Sequence, residues 1–550
     1  MKDLKLKSLP RKAMFLATAA VVAFMVSCSD DINRPRKDDD KGKDPSKEQV
    51  DNTGGKVQIA ELIQLWDGSK KIDPETFVAD TVLLSLPEEK LEIPVTLHQS
   101  VAEVSGENLP EGWSVETNEE KKVLKIGAPA TSPEEIGEPV KVQFGLKDAK
   151  GKVLASVILP VRFIPYFNDS KALIVLDKAD KGDLSFVSSK GEVLKNIFSQ
   201  RNPNEKLGAN CAEIAEYKGL YYVLSTEDKQ ITVMDAKTLR VTETISTGDA
   251  AAKHFAVVDH EHIYLSDAAK IWKLNGTTKE LKEVELPKKG SEVSYVPLEY
   301  SYDKPFVVKE YVSKGTPVRR AYTFIQAVST ERWSSADELI VLGAEPENDG
   351  KCQSIAIKES MTSSALPRPT VEIANAAGDS LWLMSNAKAG SRADDRYILV
   401  RFTVDKSYRE MKATDYKYNG INYTHAAMPY ATIIAGKAAD EVFYLSHGET
   451  PEIHKLKLFP RPATSPVAER NWATVKKDET VLTIESTMGK LQGAFALNNA
   501  TGHVFVIAKN EEKGNELFAY NAEDVDEPIF TVPNVVKEFG AYLVPQGSSR

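Results

Sequence analysis

The chain has 550 residues, of which 42% are hydrophobic and 27% charged, and its formal net charge is −10. That length exceeds what one hydrophobic core organises, so at least two domains are expected. The acidic balance excludes a surface built to neutralise nucleic-acid phosphates, which needs concentrated Lys and Arg.

Residues 1–27 have the parts of an export signal. Lys2, Lys5, Lys7, Arg11 and Lys12 form a basic start, and Ala13 to Val26 form an apolar run short for a bilayer span. The run ends in Met25-Val26-Ser27-Cys28, which resembles the bacterial lipobox, with Met25 where Leu is usual. The resemblance implies that the Cys28 thiol is diacylated and becomes the mature N-terminus. Ser29, Asp30 and Asp31 follow, and this acidic start resembles the surface-export signal of Bacteroidetes lipoproteins, implying the outer face of the outer membrane. Residues 28–55 are then a lipidated tether, since Arg34 to Gly55 hold too little apolar surface to offset their chain entropy. Two further cysteines, Cys211 and Cys352, are open to a disulfide in an exported protein or to life as two buried thiols.

No later stretch is long and apolar enough to span a membrane, and short β-type runs between polar turns replace helical periodicity. Between residues 56 and 165 such runs include Val101–Val104, Val123–Ile126, Val140–Leu146 and Val153–Phe163, which predicts a β-sandwich. The stretch Leu109-Pro110-Glu111-Gly112-Trp113, followed by Leu124-Lys125-Ile126 and Pro129, resembles immunoglobulin-like spacer domains of Bacteroidetes surface lipoproteins. Trp113 is expected to anchor the core, because a small sandwich needs a large buried aromatic.

From residue 166 to 550 a unit repeats: a β-run carrying an aromatic (Tyr222, Tyr264, Phe443, Phe505), a polar loop, and a second β-run ending near Asn, Asp or Lys. Weaker copies begin near Lys171, Pro305, Asp337 and Asp379. Such hairpins expose two edges and cannot stand alone, so the expected closure is a β-propeller of about seven blades, with six or eight open because two copies near residue 340 can share a unit. The run Phe539 to Val544 is expected to close the ring against the first blade. The fold class is therefore all-β, a sandwich followed by a propeller.

Residues 183–245 carry a more specific pattern: the Phe198 run, the Leu207-Gly208 pair, the Tyr217-Lys218-Gly219 turn with its Tyr-rich strand, and Asp235 to Leu239. This segment resembles the YncE-like propellers of Bacteroidetes surface lipoproteins, a family that includes a cobalamin-capturing lipoprotein sitting over a TonB-dependent transporter. The resemblance implies capture of a nutrient or cofactor, a corrinoid such as cobalamin first, and handover to such a transporter. Ferric siderophore or haem capture remains open, as do an adhesion module for protein or glycan and a propeller hydrolase or lyase.

The sequence carries no nucleophile elbow, zincin motif, Walker loop, C-x-x-C or dinucleotide fingerprint, so binding without catalysis and without a resident metal is expected. Asp177, Asp180 and Asp183 lack the oxygen-ligand spacing of an EF-hand and read as a solvated turn. The expected site is a ring of loops at one mouth of the propeller. Asn210 and His254 precede strands that would be innermost, as do Tyr423 and His425. Asp228, Asp267 and His447 lie in hairpins opening on the same face.

Overall fold

The computed structural model describes residues 58–67, 70–72, 83–267, 269–286, 294–297, 306–313, 316–328, 338–343, 352–358, 370–375, 380–386, 396–404, 410–422, 433–438, 440–446, 450–459, 474–493, 495–523 and 527–546. The export signal, Cys28, Ser29, Asp30, Asp31 and the tether lie outside the described residues, as do Tyr423, His425 and His447.

Residues 59–163 build two packed sheets. Strand Lys90–Leu97 alternates buried and open positions, and Val140–Lys147 does so apart from buried Gly145, as strands with one face on a core do. One sheet runs Lys70–Ile72, Ile63–Asp67, Lys90–Leu97, Val123–Gly127, Ser114–Thr117, and the other Leu83–Ser85, Val153–Phe163, Val140–Lys147, Glu103–Gly106. Leu65, Ile93 and Leu124 of the first meet Phe144, Leu146 and Leu159 of the second in one core. Trp113 anchors that core as expected: it is 8% exposed and meets Phe163 edge to face at 5.7 Å. Leu83–Ser85 pairs parallel with the end of Val153–Phe163, and this short strand leads into the joint with the rest of the body.

From residue 173 onward, antiparallel meanders of four strands repeat. The clearest are Cys211–Tyr217, Leu220–Ser225, Gln230–Asp235, Val241–Ser246, and then His254–Asp259, His262–Ser266, Ile271–Leu274, Leu281–Glu283. The second strand of each is an unbroken buried run, here 221–225 and 263–266, because neighbouring sheets cover both of its faces. The repeat aromatics Tyr222, Tyr264, Phe443 and Phe505 all fall on such second strands, 0–3% exposed. The copies beginning near Pro305 and Asp337 do share one sheet, since Val307–Ser313, Thr316–Val328, Glu338–Gly343 and Gln353–Lys358 pair in succession. Ala356–Lys358 then pairs in parallel with Glu410–Lys412 of the following meander, so the outer edges of those two sheets join.

The first strands of successive sheets lie side by side. Cys211–Tyr217 touches Phe539–Leu543 on one side and His254–Asp259 on the other; Val307–Ser313 touches His254–Asp259 and Thr370–Asn375; Thr370–Asn375 touches Ile433–Ala435. The chain's last strand, Phe539–Leu543, pairs antiparallel with Leu173–Asp177, joining the end of the body to its beginning. The body is thus an all-β, propeller-like array of sheets. Hydrogen-bonding register gives it two ends. The entry end holds the starts of the first strands, the hairpin at 226–229, and residues 267 and 269–270; the exit end holds the turns at 218–219, 236–240 and 260–261.

Cys211 and Cys352 are not joined in a disulfide. Cys211 is fully buried, its thiol donates to Gly208 O at 3.1 Å, and burial pushes its pKa up to about 12. That thiol is a small core hydrophobe rather than a nucleophile. The Cys352 thiol donates to Glu285 O at 3.5 Å.

Candidate functional site

The described members of the expected loop ring gather at the entry end of two adjacent sheets. Asn210 sits just before Cys211–Tyr217 in the left-handed region, φ 53°, and its side-chain amide donates to Thr226 Oγ1 at 2.7 Å in the facing hairpin. Asp228, in that hairpin, takes the Ala209 backbone N–H at 3.1 Å and pairs with Lys206 at 3.0 Å. The hydrogen bond from Lys206, then that from Ala209, hold the Asp228 carboxyl below the usual carboxylate range. Asp267 accepts the N–H groups of Ala269 and Lys270, both at 2.7 Å, and so shapes its own turn. Asn210, Asp228 and Asp267 are therefore tied into loop architecture, presenting remaining lone pairs and N–H groups to solvent.

His254 has a different setting. Its Nδ1 lies 2.6 Å from Oε1 of Glu213, and the other Glu213 oxygen accepts the Phe255 N–H at 3.0 Å. Glu213 is 5% exposed and stands on the first strand of the preceding sheet, so one buried carboxylate joins two neighbouring sheets. A carboxylate accepts, so Nδ1 carries the proton facing it and Nε2 is the nitrogen left for another partner. Glu213 was not legible as a site residue: in sequence it is one acid among alternating positions of a strand.

The other described histidines of the repeat region serve the framework. Nδ1 of His262 is 2.8 Å from Asp259, His454 stacks on Tyr444 with ring centroids 4.8 Å apart, and His260 meets Tyr222 Oη at 3.2 Å. His503 lies edge-on to Phe505 and Phe530, and burial lowers its pKa. Of the three spaced aspartates, Asp177 accepts the backbone N–H groups of Ala179, Lys537 and Glu538, and Asp183 accepts those of Leu184 and Phe198. They are turn-formers, and among the described residues no cluster of three acidic, His or Cys side chains is placed to hold a metal ion.

Among the described residues, the exit end includes two open cavities. One, ≈ 500 Å³, lies between the Glu441–Ser446 and His503–Asn510 sheets, with Phe443, Glu441 and Lys455 in its wall. The other, ≈ 290 Å³, lies where the first strands of two sheets finish, lined by Tyr217, Asp259 and Arg319. The Tyr217-Lys218-Gly219 motif is the turn at its edge, with φ of 46° at Lys218 and 75° at Gly219, and it sets Lys218 Nζ 5.3 Å from the Tyr217 ring centroid.

A family described as "Domain of unknown function (DUF5074)" matches residues 177–297, under half of the chain. No curated protein matches it. Among solved structures, a functionally unknown protein from Desulfotomaculum acetoxidans is 11% identical with a TM-score of 0.41, covering 68% of this chain and 99% of its own. Apo AztD from Citrobacter koseri is 8% identical with a TM-score of 0.36, covering 68% of this chain and 97% of its own. A catalytically inactive virginiamycin B lyase from Staphylococcus aureus with quinupristin is 11% identical with a TM-score of 0.32, covering 74% and 95%. The propeller-like architecture stands on the strand pairings above.

Proposed function

We propose that this chain is a lipoprotein on the outer face of the outer membrane, held by acylated Cys28 and a polar tether. An immunoglobulin-like spacer carries a YncE-like propeller that captures a metal-containing cofactor, a corrinoid first, and passes it to a TonB-dependent transporter without catalysing a reaction. The meanders at 211–246, 254–283, 307–358, 370–422, 433–483 and 490–536, with 173–194 completed by Phe539–Leu543, support a count of seven blades.

The observation that carries the ligand class is the Glu213–His254 pair at the entry end. A carboxylate that fixes one imidazole nitrogen orients the ring and makes the other nitrogen a better donor, the arrangement that surrounds metal-ligating histidines. A cobalt or iron centre with an open axial position suits such a donor. With His254 at the entry end, the ligand would lie across that end, over Asn210, Asp228 and Asp267.

The test is a thermal-shift and titration screen with cobalamin, cobinamide, haem and ferric siderophores. A ligand at a hundred times its dissociation constant raises apparent stability by about 2.7 kcal/mol. His254→Ala should then weaken the bound member by about 1–3 kcal/mol, and it should also lower the urea midpoint because buried Glu213 loses a partner, so binding is titrated on protein shown to be folded. Absence of binding by all four classes would turn the proposal toward adhesion. For the anchor, Cys28→Ala should release the protein from membranes, because loss of the multiply acylated residue removes the hold. Retention of that variant in the membrane pellet after a high-salt wash would refute lipid anchoring.

A further inference from the structure

The smaller exit-end cavity has charges of both signs built into its wall. Arg319, on the long strand Thr316–Val328, reaches past the neighbouring sheet: its Nε donates to Val257 O at 3.2 Å and its Nη2 to Glu216 O at 3.1 Å. Its guanidinium carbon lies 4.9 Å from the Tyr217 ring centroid, and its side chain is 16% exposed. A guanidinium has five N–H donors. Within the described residues two of them are hydrogen-bonded, and Glu310 forms an ion pair with Nη1 at 3.8 Å, too long for a hydrogen bond. A largely desolvated, aromatic-stacked Arg with unused donors at a cavity is suited to a planar oxyanion. Lys218 adds a second cation at the rim.

The same wall holds Asp259 and Glu310. Burial pushes the Asp259 carboxyl up, but the hydrogen bond and charge of His262 with the Glu261 and His262 N–H groups outweigh it and hold the carboxyl below its usual range. A simple anion would face these two carboxylates, and a simple cation would face Arg319 and Lys218. Val258, Pro317 and Val318 supply the apolar remainder of the wall.

We propose that this cavity binds a small zwitterion, a free α-amino acid with an aliphatic side chain, its carboxylate toward Arg319 and Lys218 and its ammonium toward Asp259 and Glu310. The volume of ≈ 290 Å³ is at the lower limit for ligand pockets and suits a molecule of that size rather than a peptide or macrocycle. The site lies at the opposite end from the histidine and does not depend on the cofactor reading.

Calorimetric titration with L-valine, N-acetyl-L-valine and L-valinamide tests it. L-valine should bind, and removing either charge should weaken binding at least roughly tenfold, the cost of one charged hydrogen bond. Because Arg319 also braces three strands, the variants are Lys218→Met, at an exposed turn, and Asp259→Asn, each checked for native circular dichroism. Lys218→Met should weaken L-valine while changing L-valinamide little, and Asp259→Asn should weaken L-valine while changing N-acetyl-L-valine little. Failure of L-valine, glycine and L-leucine to bind overturns the proposal. So do equal affinities for the three valine compounds, or unaltered L-valine affinity in both folded variants.

Discussion

A chain ending at Glu538 is expected to lose its cooperative fold. The missing strand, Phe539–Leu543, pairs with Leu173–Asp177 in the register Ile174↔Leu543, Val175↔Tyr542, Asp177↔Phe539, and packs on Cys211–Tyr217 of the next sheet. Phe539, Ala541 and Tyr542 are each under 10% exposed, and the two rings meet at a tilt of 49° with centroids 4.6 Å apart. Burying the two aromatics is worth roughly 1.5–3 kcal/mol apiece, a large part of the ~5–15 kcal/mol that holds a typical domain. Their loss also bares the edge of Leu173–Asp177, an invitation to pair with another chain. Urea unfolding and size-exclusion chromatography should show a lowered midpoint and oligomers. Gly540→Val is the milder companion, since a Cβ there would sit 2.8 Å from Cys211 O, so the innermost strands must shift at a cost of about 1–3 kcal/mol. A truncated protein that stays monomeric with an unchanged midpoint would show that the terminal strand does not close the body.

That closure was legible because it rests on local pattern. FGAYLV reads as a strand by itself, and the aromatic of each repeat recurs because each second strand meets the same two-sided burial. What the sequence hides is pairing at a distance by polar residues. Glu213 and His254 are 41 positions apart, and Glu89 and Arg201 112. Each is an ordinary charged residue in a β-run or turn, indistinguishable from a solvated one until the sheets are set side by side. His254 therefore stands out by its place before an inner strand, while the carboxylate that orients it does not. The exit-end cavity escaped for the same reason: its turn was noticed as a motif, but the Arg that gives the turn chemical meaning lies in a strand with no signal of its own.

The joint between the sandwich and the ring is the second place where one substitution should be costly. Arg201 ends the short helix Ile197–Arg201 with its side chain 3% exposed, and it meets Glu89 of the sandwich, 17% exposed, in a two-pronged ion pair. Nη1 also lies 3.4 Å from Leu84 O, Nε donates to Thr238 O at 3.1 Å, and Glu89 takes the Leu86 N–H at 2.9 Å. Around the pair, Leu84, Leu86, Ile136 and Ile164 share a core with Ile174, Phe198 and Tyr221, so the two parts unfold as neighbours rather than as beads on a string. Glu89→Ala strands a buried guanidinium without its counter-charge, which should cost about 3–5 kcal/mol. The double variant Glu89→Leu with Arg201→Met removes both buried charges, leaving Arg240, 3.7 Å from Glu89 and half exposed, to be solvated by water, and should recover most of that loss because the desolvation penalty disappears with the attraction. Urea midpoints of the single and double variants form the cycle that decides it. A Glu89→Ala loss under about 1 kcal/mol would mean that water already screens the pair, as it does at exposed ion pairs. A double variant no more stable than Glu89→Ala would mean instead that apolar packing at the joint, rather than the unpaired charge, sets the cost.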